Sequence, residues 1–496
     1  MFGLNQKEIF NIPDEVLEVA QTLKEKGFEA YLVGGCVRDM LRRKTPKDWD
    51  LTTNAIPEEI EALFEKTYYN NDFGTVGVVL EEEEGKSTHV IEITPYRLEA
   101  SYSNSRHPDE VTFSKNIDDD LKRRDFTMNA IALDPTTKEV VDHFEGKKDL
   151  ENKTIKSVGD AHDRFDEDAL RILRAIRLGA ELGFMIESET ANAIAKQASN
   201  LQNISKERIR DEFVRTLMSD RPMEALALSE KLGVLKYVLP DLERGIGVEQ
   251  NQAHSYDVYE HNLRTLQHAA DKKWSLELRL ASILHDISKP ETRRWSDEKK
   301  EHTFHGHEVV GARVAKKVME SLKFPKKTTS KVVKLVRWHM FFSDPDQITL
   351  SAVRRMIRNV DGEENMWDLM DLRVCDRIGT GRPKEQPFRL RKYKSMVEEA
   401  LRDPTSVGML KLSGDRLMKI ANETPGPKIG FTLHALLEQV LDDPKKNTKD
   451  YLEKEGKRLV KLPIHKLQKL GEAGKQKKDE VEEEDVKKLR KKYHVN

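Results

Sequence analysis

The stretch Tyr31-Leu-Val-Gly-Gly-Cys-Val-Arg-Asp39, followed closely by Lys47-Asp48-Trp49-Asp50-Leu-Thr-Thr53, constrains this chain more than any other. The apolar run Tyr31 to Val33 predicts a strand ending in Gly34-Gly35, and Val37 to Leu41 predicts an amphipathic helix directly after it. Two adjacent glycines at a strand-to-helix turn let backbone amides approach an anion, and a helix N-terminus adds a favourable dipole. Asp48 and Asp50 stand at i and i+2. In a strand such side chains share a face, so both carboxylates can serve one Mg²⁺ ion. A phosphate cradle beside a two-carboxylate Mg²⁺ site is the equipment of nucleotidyl transfer. Alone, a Gly-Gly turn is common and an Asp-x-Asp pair often sits in solvent; the order and spacing together carry the reading.

With 496 residues the chain exceeds one ordinary domain, and three or four are expected. Apolar residues make up 37% and charged residues 35%, the balance of a soluble, helix-rich protein. A net charge of −2 means that nucleic-acid binding needs local basic patches rather than a global field. Cys36 and Cys375 form no CxxC pattern, no apolar run is long enough to span a membrane, and Met1 to Pro13 lacks a signal pattern. A cytoplasmic location is expected.

Apolar spacing predicts a helix over residues 14–26, then strands at 30–33, 49–51, 75–80 and 89–94, with an acidic hairpin tip at 81–85. Residues 101–114 show neither helix nor strand pattern and are expected to form a mobile loop. After Lys153 strand signals almost vanish, and 166–182, 188–199 and 206–218 carry helical periodicity. The expected class is α+β: a mixed α/β head (1–150), a helical neck (151–245), a helical body (246–385), a helical tail (386–470) and a charged end (471–496). That end is expected to be a solvated helix or disordered.

Further residues fit the head chemistry. Glu92 alternates with Ile91 and Ile93 and is the candidate third carboxylate; a solvated strand face would show the same pattern. In Leu121-Lys-Arg-Arg-Asp-Phe-Thr-Met-Asn-Ala130, Arg123 and Arg124 offer bidentate donors to phosphate or ribose oxygens. These two motifs together resemble the nucleotidyltransferase superfamily, and within it the bacterial-type tRNA nucleotidyltransferase and poly(A) polymerase family. The resemblance runs from about residue 28 to 455. It implies a polymerase beta-like head in which Asp48 and Asp50 hold Mg²⁺. Gly34, Gly35 and Arg38 would seat the triphosphate, with Arg123 or Arg124 assisting.

Asp163 to Arg177 reads as one helix, placing the heads of Asp168 and Arg171 side by side at i, i+3. Such a pair is usually a plain salt bridge, but the resemblance implies that it reads the incoming base. A carboxylate accepts from the exocyclic amine of cytosine or adenine while arginine donates to the adjacent ring nitrogen. Uracil and guanine present the reverse pattern, and a buried mismatch of that kind rejects by on the order of 10⁴-fold. Arg174 and Arg177 continue the basic line and suit the triphosphate.

Downstream, Glu260-His261, Leu284-His285-Asp286, His305-Gly-His307, Trp338-His339 and Cys375-Asp376 recur on separate expected helices. This resembles the HD phosphohydrolase superfamily. It implies His261, His285, Asp286 and Asp376 around one metal, with His307 and His339 completing a second. Imidazole and carboxylate donors suit Mn²⁺, Fe²⁺, Co²⁺ or Ni²⁺. Pro425-Gly-Pro-Lys-Ile-Gly430 is expected to be a turn opening a helix over 431–440, either a phosphate contact or a connector.

The expectation is template-independent addition of C, C and A to tRNA 3′ ends from CTP and ATP. The body and tail would grip the tRNA through backbone and shape, in a monomer or homodimer. The alternatives are A-only, CC-only or poly(A) addition, hydrolysis at the HD site as the main activity, and a non-catalytic RNA-binding protein. Asn104 stands where the family usually has an acidic residue.

Overall fold

The computed structural model describes residues 10–70, 74–80, 89–99, 111–251, 255–341 and 348–471. The expected hairpin tip at 81–85, most of the loop at 101–114 including Asn104, and nearly all of the charged end lie outside the described residues. The chain divides into two compact units, Met1–Pro240 and Asp241–Asn496.

The first unit opens with α1 (Asp14–Glu25), which buries Val16, Val19, Ala20 and Leu23 on one face. A seven-stranded sheet follows in the order β3-β4-β5-β2-β1-β8-β9. Its strands are β1 (Tyr31–Val33), β2 (Trp49–Thr53), β3 (Thr67–Asn70), β4 (Thr75–Leu80), β5 (His89–Pro95), β8 (Ala132–Leu133) and β9 (Val140–Val141). Within this sheet, among the described residues, only β2 and β5 pair in parallel, which sets Asp50 directly opposite Glu92. β1 turns through Gly34 into α2 (Gly35–Leu41), two residues earlier than the apolar pattern indicates.

β6 (Arg97–Glu99) pairs with β7 (Val111–Phe113), so the end of the expected loop is a strand. The Phe113 ring packs so close to Gly74 that a Cβ there would meet it at 3.0 Å. Beyond the sheet come α3 (Ile117–Lys122), the two-stranded parallel pair β10 (Thr154–Ile155) and β11 (Met185–Ile186), and α4 (Ala161–Glu167), α5 (Leu170–Leu182) and α6 (Lys206–Met218).

The single helix expected over 166–182 is two. Asp168 takes an extended conformation (φ −147°, ψ 101°) between α4 and α5, and its Oδ1 accepts from the backbone N–H of Leu170 at 3.0 Å. An aspartate carboxylate competes for backbone donors in this way and starts a helix rather than continuing one.

The second unit is helical apart from one hairpin, β12 (Arg294–Ser296) with β13 (Glu301–Thr303), among the described residues. Its longer helices, of nine residues or more, are α7 (Val258–Asp271), α8 (Leu276–Leu284), α9 (His307–Ser321), α10 (Lys326–Trp338), α11 (Leu350–Asn359), α12 (Glu363–Gly379), α13 (Phe388–Ala400), α14 (Pro427–Asp442) and α15 (Lys449–Leu459). One apolar core gathers Leu278, Leu335, Ile357, Leu369 and Tyr393, and a second gathers Leu412, Leu436, Leu452 and Leu459. The helix expected from 431 begins at Pro427 and takes in most of the expected turn; proline at the first helical position loses no hydrogen bond.

Candidate functional site

Parallel register carries the head site. Asp50 and Glu92 face each other across β2 and β5, while Ile91 and Ile93 beside Glu92 are buried. Period-2 alternation therefore puts the two carboxylates on one side of the sheet. Asp48 lies in the bend just before β2 and is exposed; Asp50 is half-buried. Burial, the neighbouring charge of Glu92 and the charge of Asp48 push the Asp50 carboxyl up to about 6, and the nearby Arg124 pulls it partly down. Like charge on this face of the sheet is the electrostatic setting that a divalent cation relieves, so the donor set fits Mg²⁺.

Gly34 is bound to this corner by sterics. Its φ is +74°, and a Cβ there would lie 3.3 Å from Arg124 Nη1 and 3.6 Å from Asp50 Oδ2. The Gly-Gly turn, the DxD carboxylate and the second motif thus meet at one point. Arg38, from α2, donates to Asn129 Oδ1 at 3.1 Å. Asn129 in turn donates to Asp125 Oδ1 at 3.0 Å.

Asp120 and Asp125 hold the second motif, and sequence reasoning did not single out either. Asp120 is fully buried and pairs with both Arg123 and Arg124. Asp125 accepts two hydrogen bonds from Arg174 on α5, at 2.9 and 2.7 Å. Burial would raise its carboxyl, but Arg174 and Asn129 outweigh that and hold it down at about 2. Arg177 is likewise engaged, with buried Glu212 on α6 at 2.7 Å. The string Arg-Arg-Asp advertises an ion-pair cluster, yet nothing in the sequence says that Arg174, 49 positions on, is the partner.

The heads of Asp168 and Arg171 are engaged by different groups. Asp168 Oδ2 pairs with Arg208 Nη2 at 2.7 Å. Arg171 donates from Nη1 to Glu167 at 2.7 Å and to the Arg164 carbonyl at 3.2 Å, and from Nη2 to the Arg123 carbonyl at 3.0 Å.

The second unit brings together all six of its expected residues. His261 comes from α7, His285 and Asp286 from the end of α8, His307 opens α9, His339 follows α10 and Asp376 lies on α12. Asp286 is the common member: its Oδ2 lies 3.1 Å from His261 Nε2 and 3.2 Å from His285 Nε2. Its Oδ1 lies 3.2 Å from His307 Nε2 and 3.6 Å from His339 Nε2. Asp376 Oδ1 stands 3.4 Å from His261 Nε2. Two groups, His261/His285/Asp286 and Asp286/His307/His339, have ligand atoms all within 4.8 Å of one another.

The tautomers decide what this cluster fits. His307 Nδ1 and His339 Nδ1 each face a backbone carbonyl at 2.7 Å, so each donates its proton there. Their Nε2 lone pairs then face each other at 3.1 Å. Two lone pairs at that distance repel unless a cation lies between them, and fixing the metal-binding nitrogen through the other one is how proteins orient histidine ligands. Burial pushes the Asp286 carboxyl up, but His285 and Lys289 outweigh it and leave it ionised.

Family models match the three parts in order: the poly A polymerase head domain at residues 30–156, the probable RNA- and SrmB-binding site of polymerase A at 183–246, and the HD domain at 258–378. A CCA-adding enzyme of Leuconostoc mesenteroides is 32% identical over 462 residues, covering 91% of this chain and 99% of the relative. The chain belongs to the CCA-adding enzyme family. Another CCA-adding enzyme, from Enterococcus faecalis, is 43% identical over 245 residues, 49% of this chain and 59% of the relative. Identity is thus densest over about half the length of several curated relatives. Among solved structures, the Bacillus stearothermophilus CCA-adding enzyme in complex with CTP superposes with a TM-score of 0.66 at 26% identity, covering 90% of this chain and 97% of that one. The Thermotoga maritima CCA-adding enzyme complexed with tRNA shares the fold at a TM-score of 0.53 and 20% identity, covering 89% and 94%. These family members have the expected architecture, an α/β head followed by helices. No described helix is long and apolar enough to cross a membrane.

Proposed function

We propose that this chain adds C, C and A in turn to the 3′ end of tRNA, using CTP and ATP, in the cytoplasm. The observation that carries the reading is the parallel register of Asp50 with Glu92 beside Gly34 and Arg124, within a chain aligned over 99% of a CCA-adding enzyme. Asp48 and Asp50 would hold Mg²⁺, which would supply acidification of the attacking 3′-hydroxyl and neutralisation of the pyrophosphate. Glu92 completes the carboxylate set. The amides of Gly34 and Gly35, with Arg38 and Arg124, seat the triphosphate, and Arg123 assists. Asp168 and Arg171 read the base. Arg174 acts on the nucleotide indirectly: Arg174 fixes Asp125, Asp125 fixes Asn129, and Asn129 orients Arg38, while Arg177 is held by Glu212 and lies further along the same basic line.

The reading divides the chain as 1–150 head, 151–245 neck, 246–385 HD body, 386–470 tail and 471–496 charged end. A groove of about 1450 Å³ in the second unit supports the RNA role of body and tail. Arg313, Lys316, Lys323, Lys326, Lys334, Arg337 and Arg358 line it, against only Glu320 and Asp361. Basic grooves of this kind follow phosphate backbones.

A second activity is favoured by the converging His/Asp groups. Two metals of the Mn²⁺, Fe²⁺, Co²⁺ or Ni²⁺ type, held by His261, His285, Asp286 and Asp376 and by Asp286, His307 and His339, would hydrolyse a phosphate ester.

The test supplies tRNAs ending at the discriminator nucleotide, after one C, or after two, with CTP, ATP or UTP, and sequences the products. Growth that stops at CCA without using UTP supports the proposal. Unlimited A-tailing identifies a poly(A) polymerase, and growth that stops at CC or needs a CC end identifies a partial enzyme.

A further inference from the structure

Asp168 is caught between two partners that leave part of its acceptor capacity open. Its Oδ1 takes the Leu170 amide at 3.0 Å and its Oδ2 takes Arg208 Nη2 at 2.7 Å. A carboxylate has about four lone-pair positions, so two remain. Arg208 arrives from a different helix, 40 positions on, in the first turn of α6, whose N-cap is Ser205. Both side chains are largely shielded, at 27% and 21% exposure. The other amino group of Arg208, Nη1, is shut off from solvent and has no hydrogen-bond partner among the described residues. A buried guanidinium donor is costly to leave without an acceptor.

Arg171 cannot orient Asp168 in this arrangement, because both of its amino groups are engaged with Glu167 and with the Arg164 and Arg123 carbonyls. We infer that Arg208 is a third, specificity-determining member of the base-selecting group, a positioning residue that holds the Asp168 carboxylate in one plane through its Nη2. The inference rests on the reading that Asp168 selects the base. Fixing one oxygen of Asp168 leaves its open lone pairs aimed at an exocyclic amine. A uracil carbonyl brought to the same place meets a carboxylate that cannot rotate away. Discrimination of this kind depends on rigidity, since a carboxylate free to turn would let water satisfy the wrong base.

The test compares Arg208→Met, Arg208→Lys and Asp168→Ala with the unaltered full chain, using steady-state kinetics for CTP, ATP and UTP on a tRNA lacking its CCA end, with thermal melting alongside. Arg208→Met should raise KM for CTP and ATP by about 10- to 100-fold, the size of one hydrogen bond to a charged group, and raise UTP incorporation relative to CTP. Its kcat should stay within about threefold, because the metal-binding carboxylates are untouched. Arg208→Lys keeps the charge and should recover part of the KM but not the discrimination, which needs the planar fork. Unchanged KM and unchanged discrimination in Arg208→Met overturn the inference. So does an equal fall in kcat for all three nucleotides accompanied by a lower melting temperature, the signature of a purely structural residue. Asp168→Ala separates the two levels. Lost discrimination there but not in Arg208→Met removes Arg208 alone, whereas retained discrimination in Asp168→Ala removes the base-selection reading beneath it.

Discussion

At the residue scale, two aspartates in the same head are driven in opposite directions. Asp50, raised to about 6 by burial and by Glu92, is only partly ionised in mildly acid solution. A proton and Mg²⁺ compete for it, so the Mg²⁺ concentration giving half-maximal nucleotide addition should fall as pH rises from 5 to 7 and then level off. A titration of activity against Mg²⁺ at several pH values checks this; a requirement that does not change with pH contradicts it. For stability of the metal-free protein the sign is reversed. A raised carboxyl contributes most below its ordinary value of 3.8, and that contribution is lost as pH climbs through 6. Asp125, held at about 2 by Arg174 and Asn129, stabilises above 3.8 and loses that contribution as pH falls toward 2. Asp125→Asn leaves Arg174, one-third exposed and still 3.8 Å from Glu212, beside a neutral amide, and should cost about 1–3 kcal/mol. Chemical denaturation of the first unit at neutral pH measures it, and the deficit should shrink at low pH. The Asp-x-Asp spacing and the Arg-Arg doublet were legible in the sequence because their chemistry is local. The role of Asp125 was not, since its meaning comes from Arg174 and Asn129, which only folding brings to it.

Among elements, helix starts and close crossings decide where ligands stand. The sequence periodicity marked α1 and α6 well, because their apolar faces repeat without interruption. It ran α4 and α5 together, because hydrophobic spacing does not register a carboxylate that captures a backbone amide. β7 went unread for a different reason: three residues are too few to show alternation, and its partner β6 lies across a gap in sequence. In the second unit, α7 and α12 meet at Gly379, where a Cβ would stand 2.1 Å from Thr265 Oγ1 and 2.9 Å from the His261 carbonyl. That crossing sets Asp376 beside His261. Gly379→Ala should therefore destabilise the second unit by about 1–3 kcal/mol and lower its metal content. Thermal melting with elemental analysis tests both; a variant with unaltered melting and metal binding shows that the crossing is not tight.

For the whole molecule, chemistry is distributed over two compact units, carboxylates on a sheet in one and histidines between helices in the other. The head-domain model falls within the first unit and the HD model within the second. His285→Ala removes an imidazole lying 3.2 Å from the shared Asp286 and 3.0 Å from His261 Nε2. It should abolish bound transition metal and any phosphate-ester hydrolysis while leaving CCA addition within about twofold, as expected of sites that act independently. Loss of both activities in a folded variant would contradict that separation.

The central claim is that Asp48 and Asp50 hold the metal for nucleotidyl transfer, and the direct measurement is the rate at which an Asp48→Ala/Asp50→Ala double variant extends tRNA lacking its CCA end, given CTP, ATP and Mg²⁺. The rate should fall by at least about 10³-fold while the variant keeps the melting temperature of the unaltered protein. Extension at the unaltered rate would contradict the claim.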